Sequence, residues 1–316
     1  MNMRKNYITL LALIGFVFFC QEVKSQQAPQ YTQYYENQLG VNPAYAGLKN
    51  RICVTAMHRD QWRGFEGSPE TNVLTIHSNL NNSYVQGIGL HVLDDNLGPL
   101  TNRALGLSLS HRLTLGPGEL GIGLNVGGFQ RSLGEADWRP PLDPVSMDPT
   151  IPDEEGSSFV PDFGFGLHYS TSDWFVGLSS QHLHEPQFDD WGGSENKIFR
   201  TYYLMGGYSY PLTQNITLQP KTLLKADRSK LQADFTGTVR LGDRLWGGAT
   251  YRYEDAVALH VGMRLIDDLR VGYSYDITTS EMSDHSDGTH EFMLSYCFRI
   301  TVREDRPIEI LTPRFL

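Results

Sequence analysis

From about Arg51 to Ile300 apolar side chains return at every second position, with polar or small residues between them. In KLQADFTGTVRLGD, Leu231, Ala233, Phe235, Gly237, Val239 and Leu241 share one face, while Gln232, Asp234, Thr236, Thr238 and Arg240 share the other. LRVGYSYDI and FMLSYCFRI repeat the pattern around Tyr273 and Tyr296. A period of two belongs to the β-strand, whose successive side chains point to opposite faces. Fourteen such segments can be counted: 51–61, 70–80, 86–94, 103–115, 118–132, 158–171, 173–184, 198–211, 215–226, 230–242, 244–254, 256–266, 268–279 and 288–300. An even number of antiparallel strands, closed on itself with its apolar face outward, leaves no sheet edge and suits a lipid bilayer. The expected fold is therefore all-β, a transmembrane antiparallel barrel of about fourteen strands with a short N-terminal plug-like segment.

The links between segments alternate in length. Even-numbered segments hand over through NNS (81–83), GPG (116–118), TSD (171–173), PLTQN (211–215), GD (242–243) and DD (267–268). Odd-numbered ones hand over through QWRGFEGSP, DNLGPLTN, residues 133–157, HEPQFDDWGGSENK and TSEMSDHSDGT, with ADRSK and ED as shorter exceptions. Short turns at one end and long loops at the other are the outer-membrane pattern, with turns and both termini in the periplasm. A soluble β-sandwich or propeller also alternates. Against it stand aromatic residues near segment ends on the apolar face, as an interfacial girdle requires: Trp62, Tyr169, Trp174, Tyr202, Tyr210, Tyr251, Tyr253, Tyr273 and Tyr275. The opposite face carries Arg, His, Asp and Gln, which suits a wet lumen that a barrel of this size is too wide to fill with side chains alone.

The first 25 residues have the layout of a secretory signal peptide: Arg4 and Lys5, an apolar run from Tyr7 to Cys20, and Ser25 at the cut. Lipidation at Cys20 is disfavoured by the bulky Val17, Phe18 and Phe19 ahead of it. The expected division is signal peptide 1–25, an N-terminal periplasmic or plug segment 26–50, the barrel 51–300 and a periplasmic tail 301–316. With 26 Lys and Arg against 36 Asp and Glu, the chain is a poor match for nucleic acid. Its expected place is the outer membrane, in contact with lipid. Cys53 and Cys297 fall on the first and last segments, on the polar face and at similar depth. One bond across the seam and two free thiols both fit.

Ahead of the first segment lies YYENQLGVNPAYAG (34–47). Asn42 can cap a helix, Pro43 suits its first position and Gly47 can end the turn. A one-turn element at the periplasmic mouth is expected, with the aromatic YTQYYENQ upstream suited to lining a lumen or docking a partner.

QYYENQLGVNPAYAG followed by RDQWRGFEGSPET resembles the PorP/SprF family of type IX secretion and gliding-motility outer-membrane proteins. The matching residues are Asn37, Asn42, Pro43, Ala44, Ala46 and Gly47, then Arg59, Gln61, Trp62, Gly64, Gly67, Pro69 and Thr71. SSQHLHEP (179–186) and TPRFL (312–316) also look like family features. The resemblance implies a non-enzymatic barrel that supports secretion, or the export and surface retention of proteins with a type B C-terminal domain. It also implies partners among the periplasmic and outer-membrane components of that system. Partner contacts are expected at Asn42, Pro43, Ala44, Tyr45, Gly47, Arg59, Gln61, Trp62, Gly64, Gly67 and Pro69, each of which also has a purely architectural reading. Arg59 and Gln61 should point inward near the extracellular end of the first strand, with Trp62 at the interface.

Other motifs carry no chemistry. Gly87–Gly89, Gly121–Gly123 and Gly164–Gly166 lie within strands, where small residues let neighbouring side chains fit, and none opens a helix as a phosphate loop must. His182, His184 and Glu185 lack a third His or Cys at ligand spacing, and the acidic run 143–155 lacks the EF-hand arrangement. No cofactor, metal or enzymatic activity is expected. The alternative function is a diffusion porin or small-molecule transporter.

Overall fold

The computed structural model describes residues 28–49, 51–64, 66–80, 84–134, 156–188, 197–266 and 268–298. The signal peptide at 1–25, the acidic run 143–155 and the tail 301–316 with its TPRFL end lie outside these residues, as does NNS at 81–83.

The alternating segments form β1 (Ile52–Asp60), β2 (Glu70–Asn79), β3 (Gly87–Leu97), β4 (Leu100–Leu115), β5 (Gly118–Leu133), β6 (Gly156–Ser170) and β7 (Trp174–Gln181). They continue as β8 (Thr201–Tyr208), β9 (Tyr210–Pro211), β10 (Ile216–Ala226), β11 (Leu231–Leu241), β12 (Leu245–Arg252), β13 (Ala256–Ile266), β14 (Leu269–Thr278) and β15 (Thr289–Phe298). β8 and β9 are one stave interrupted at Ser209, because both pair with β10 in unbroken register, Gly207 opposite Lys221 and Pro211 opposite Thr217. Counted so, fourteen antiparallel staves form a closed barrel, with β15 joined to β1 from Ile52↔Phe298 to Asp60↔His290. Helical structure among the described residues is limited to short 3-10 turns.

The burial pattern is that of a soluble sheet turned inside out. In β11 the apolar Leu231, Phe235, Val239 and Leu241 are exposed, whereas Gln232, Asp234, Thr236 and Thr238 are buried. Lipid is the solvent for such an exterior, and closure lets wall backbone groups bond to neighbouring staves where water is absent.

Short turns gather at one end, at 116–117, 171–173, 212–215 and 242–244, and this is called the turn end. The other, the loop end, carries 61–64, 66–69, 182–188, 197–200 and 279–288. One link departs from expectation. DNLGPLTN is not a loop: β3 and β4 run through it, and Gly98 with Pro99 alone makes the turn. The ladder continues through Asp95↔Asn102, Asn96↔Thr101 and Leu97↔Leu100. Gly98 turns the chain at φ 58, a left-handed conformation open to glycine at no steric cost.

At the seam Cys53 and Cys297 are direct ladder partners, face inward, and are joined by a disulfide with Cα atoms 4.1 Å apart. Arg51 pairs with Asp268 beside them.

Residues 28–48 lie against the inward wall. Thr32, Gln33, Asn42, Ala44 and Ala46 have no exposed surface. The path starts near the loop end, where the Ala28 carbonyl accepts from Lys225 Nζ at 2.9 Å, one residue short of the end of β10. Three 3-10 turns follow, Tyr34–Glu36, Gln38–Gly40 and Pro43–Tyr45. The path finishes at the turn end, where Gly47 meets Asn79 and Gly87. The stretch Asn42–Gly47 is thus inside the cylinder, not beside its mouth. It can be there because wall glycines leave the space.

Candidate functional site

The lumen is the site, and among the described residues the N-terminal segment is what lies within it. At the loop end Arg59 of β1 lies between Asp276 of β14 (2.8 Å) and Glu291 of β15 (3.0 Å). Arg252 of β12 reaches Asp276 at 3.1 Å, Asp234 at 3.3 Å and Asp255 at 3.5 Å. The segment completes the cluster. The backbone N–H groups of Thr32 and Gln33 donate to Glu291 at 2.8 and 2.7 Å. The Thr32 hydroxyl donates to Asp276 at 2.8 Å and accepts from both Arg59 and Arg252 at 3.2 Å. Buried charged groups need partners and hydrogen bonds, and the segment's two amides supply both carboxyl oxygens of Glu291 with donors inside the wall.

Lower down, Glu36 pairs with Arg270. Burial pushes the Glu36 carboxyl up, but Arg270, helped by Lys49, Lys221 and Arg240, outweighs it, so the net shift is below its ordinary value. Tyr34, Tyr35 and Val41 form an apolar cluster with Tyr203, Met205 and Leu223 of the wall, and burial raises both segment phenols. Val41, Met205 and Leu223 each contribute about 1.5–3 kcal/mol by leaving water. The Lys221 ammonium sits 3.9 Å from the centroid of the Tyr35 ring, a cation–π contact.

Asn42 caps the third turn as its sequence predicts, its Oδ1 accepting from Ala44 N at 2.9 Å, while Nδ2 donates to Leu167 O at 2.9 Å. Tyr45 lies edge-on between His77 and His168, with ring centroids at 5.5 and 5.7 Å. The segment passes so close to the wall that a Cβ at Gly87 would lie 2.1 Å from Ala46 O, and one at Gly166 2.0 Å from Asn42 Oδ1. The strand glycines expected to ease neighbouring side chains mark, at Gly87, Gly121, Gly123 and Gly166, the track of this segment.

The expected contact residues do not form one cluster. Asn42, Pro43, Ala44, Tyr45 and Gly47 sit toward the turn end; Arg59, Gln61, Trp62, Gly64, Gly67 and Pro69 sit at the loop end. Arg59 is buried and inward, as expected. Gln61 is also buried, and its N–H donates to Pro69 O at 2.8 Å, closing the loop. Trp62 is not on the outward face of a strand: it follows β1 at φ 53, its N–H donating to Thr289 Oγ1 at 3.0 Å. The 61–69 loop braces its neighbours, with Arg63 bonded to Gly288 and Asp287 on one side and Gly67 O accepting from Gly98 N at 3.0 Å on the other. Gly64 and Gly67 have φ of 122 and 79. Sequence reasoning missed Thr32, Gln33, Asp276, Glu291, Arg252 and Asp234. The available signal was the inward parity of two acids on neighbouring strands.

The SSQHLHEP stretch folds over the loop end. His182 Nδ1 is 3.1 Å from Asp162, and Phe188 packs with Phe129, Val160 and Ile198 beneath the Arg131 guanidinium. The cavity left between segment and wall is about 80 Å³, room for a few waters and well below the several hundred Å³ of a ligand pocket.

A closed antiparallel cylinder, apolar outside and polar inside, with aromatic residues toward both rims, is an outer-membrane β-barrel protein. The family described as type IX secretion system membrane protein PorP/SprF matches residues 23–296, and the chain belongs to it. No curated protein matches it in sequence. Among solved structures it is similar to the CymD monoaromatic hydrocarbon channel, at 11% identity and TM-score 0.47 over 83% of this chain and 92% of that one. The Ralstonia pickettii toluene transporter TbuX gives 11% and 0.47 over 82% and 92%. The translocator domain of autotransporter NalP from Neisseria meningitidis gives 15% and 0.42 over 85% and 95%.

Proposed function

We propose that this barrel is a non-enzymatic part of the type IX secretion and gliding machinery. It supports the export or cell-surface retention of a secreted protein bearing a type B C-terminal domain, and it acts through protein contacts. In this reading the turn end faces the periplasm and its secretion components, and the braced loop end faces outward toward the secreted partner. The observation that carries the reading is the occupied lumen: residues 28–48 run along the interior and are held by Thr32 and Gln33 to Asp276 and Glu291. A diffusion channel needs an open path, whereas a docking platform needs a rigid, sealed one. Family membership supports the same reading. Two measurements on the full-length protein test it. In planar bilayers it should be electrically silent, and from gently solubilised outer membranes it should co-purify with a large secreted protein identified by mass spectrometry. Steady ion conductance with no co-purifying cargo would establish a porin instead.

A further inference from the structure

The outer wall is uneven. Membrane-facing aromatic side chains occur on β6, β7, β8, β9, β11, β12, β14 and β15, among them Phe163, Trp174, Tyr202, Tyr251 and Tyr296. The five consecutive staves β1 to β5 carry none: their one Phe, Tyr or Trp, Phe129, is buried on the inward side, and the sector's exposed aromatic, Tyr84, sits in the link between β2 and β3. Nowhere else do two neighbouring staves both lack one. Aromatic girdles mark where a barrel meets lipid headgroups, and a gap of five staves sets this sector apart from the rest of the wall.

The same sector is polar where the rest is greasy. One row of ladder partners runs Val261, Tyr273, Phe292, His58, Asn72, Asp94, Arg103, Gln130, Phe159. It is apolar up to β15, polar from β1 to β5, and aromatic again at β6. These outward side chains bond to one another: His58 Nδ1 lies 2.8 Å from Asn72 Oδ1, and Arg103 Nε donates to Asp94 at 2.7 Å. Below the row the face has relief. A groove of about 500 Å³ runs from β14 and β15 across the seam onto β1–β3, lined by Val271, Leu294, Ala56, Leu74 and Val92 with His58 and Asp94 of the row at its edge, and beside it Leu105, Leu107 and Leu124 stand out as an exposed ridge.

We infer that the β1–β5 exterior is a protein interface, and that its occupant is a second copy of this chain. Both copies insert in the same direction, so a two-fold axis relating them lies along the membrane normal and preserves depth. A face that pairs with itself under such an axis must carry both halves of each contact. This one does: a ridge beside a groove, and Asp94 beside Arg103 in one polar row. The ridge of one copy would enter the groove of the other, and each Arg103 would meet the partner's acid at its own depth.

Cross-linking of the full-length protein in native outer membranes tests this. Leu90→Cys, Leu107→Cys and Leu124→Cys lie in the sector, and Leu204→Cys and Val261→Cys on β8 and β13 serve as controls. With a short bis-maleimide, at least one sector position should give a product of twice the monomer mass containing this chain alone, while the controls stay monomeric. Extraction of the unaltered protein in mild detergent should give a native mass of two copies. A product joining the sector to a different protein, equal dimer from the controls, or a single-copy mass with no cross-link would each overturn the inference.

Discussion

Gly123 of β5 faces the backbone of Ala44 so closely that a Cβ built on it would sit 2.2 Å from the Ala44 nitrogen. No side chain fits that space, and backbone cannot give way as the end of a flexible side chain can. The contact fixes where the N-terminal segment lies against the wall, and it separates the segment's seat from the barrel's own stability.

Gly123→Leu should therefore dislodge the segment and leave the ladder intact. The barrel should keep its heat-modifiable migration on gels, while residues 28–48 become cleavable by protease and ion conductance appears in bilayers. A silent, protected Gly123→Leu protein would mean that the segment is held from elsewhere.

Arg59 is the only cation among the described groups that reaches both Asp276 and Glu291. Arg59→Met leaves Glu291 buried with two amide donors and no cation. The expected loss is about 3–5 kcal/mol of unfolding free energy, read from urea titration of the protein in lipid. A loss below about 1 kcal/mol, the scale of an exposed pair, would show that water already screens the cluster.

Glu36 gives the segment a dependence on acid. Its carboxyl is held below the ordinary value of 4.5, so it contributes stability above that value and loses it as pH falls through the folded value. Protection of the segment from protease should decline on acidification below pH 4.5. Glu36→Gln should be less protected at neutral pH and should lack that decline. An identical acid profile in the variant would assign the sensitivity to other groups.

The Cys53–Cys297 bond should make the oxidised protein resist alkylation after full denaturation, with one alkylated pair released by reductant. Closing so long a loop is worth up to ~5 kcal/mol in the chain-entropy model. Cys53→Ser with Cys297→Ser should nevertheless fold, because nine ladder partners already join β1 to β15. Loss of the heat-modifiable species in that double variant would show that the seam needs its bond to close.

Much of the architecture was legible in residue order. Burial follows alternation along most staves, and Arg59 faces inward because Met57 and Gln61, two residues either way, share its parity. The Asn42 cap was legible too, since a cap is a contact between residues two apart. DNLGPLTN misled because a rim strand accepts its polar residues as readily as a loop does, Asn96 and Thr101 on one face and the buried Asp95 and Asn102 on the other. Trp62 misled because a single positive φ takes a residue out of strand parity.

The exterior and closure of the barrel follow from local chemistry repeated fourteen times. A period-two pattern needs no knowledge of its neighbours to say which side chains meet lipid. The contents of the lumen do not follow in this way. Thr32 meets Glu291 across 259 positions of chain, and Gly123 meets Ala44 because closing the cylinder brings β5 opposite a segment that precedes β1. Contacts of that range exist only after closure has fixed the wall, so no window of sequence contains both partners.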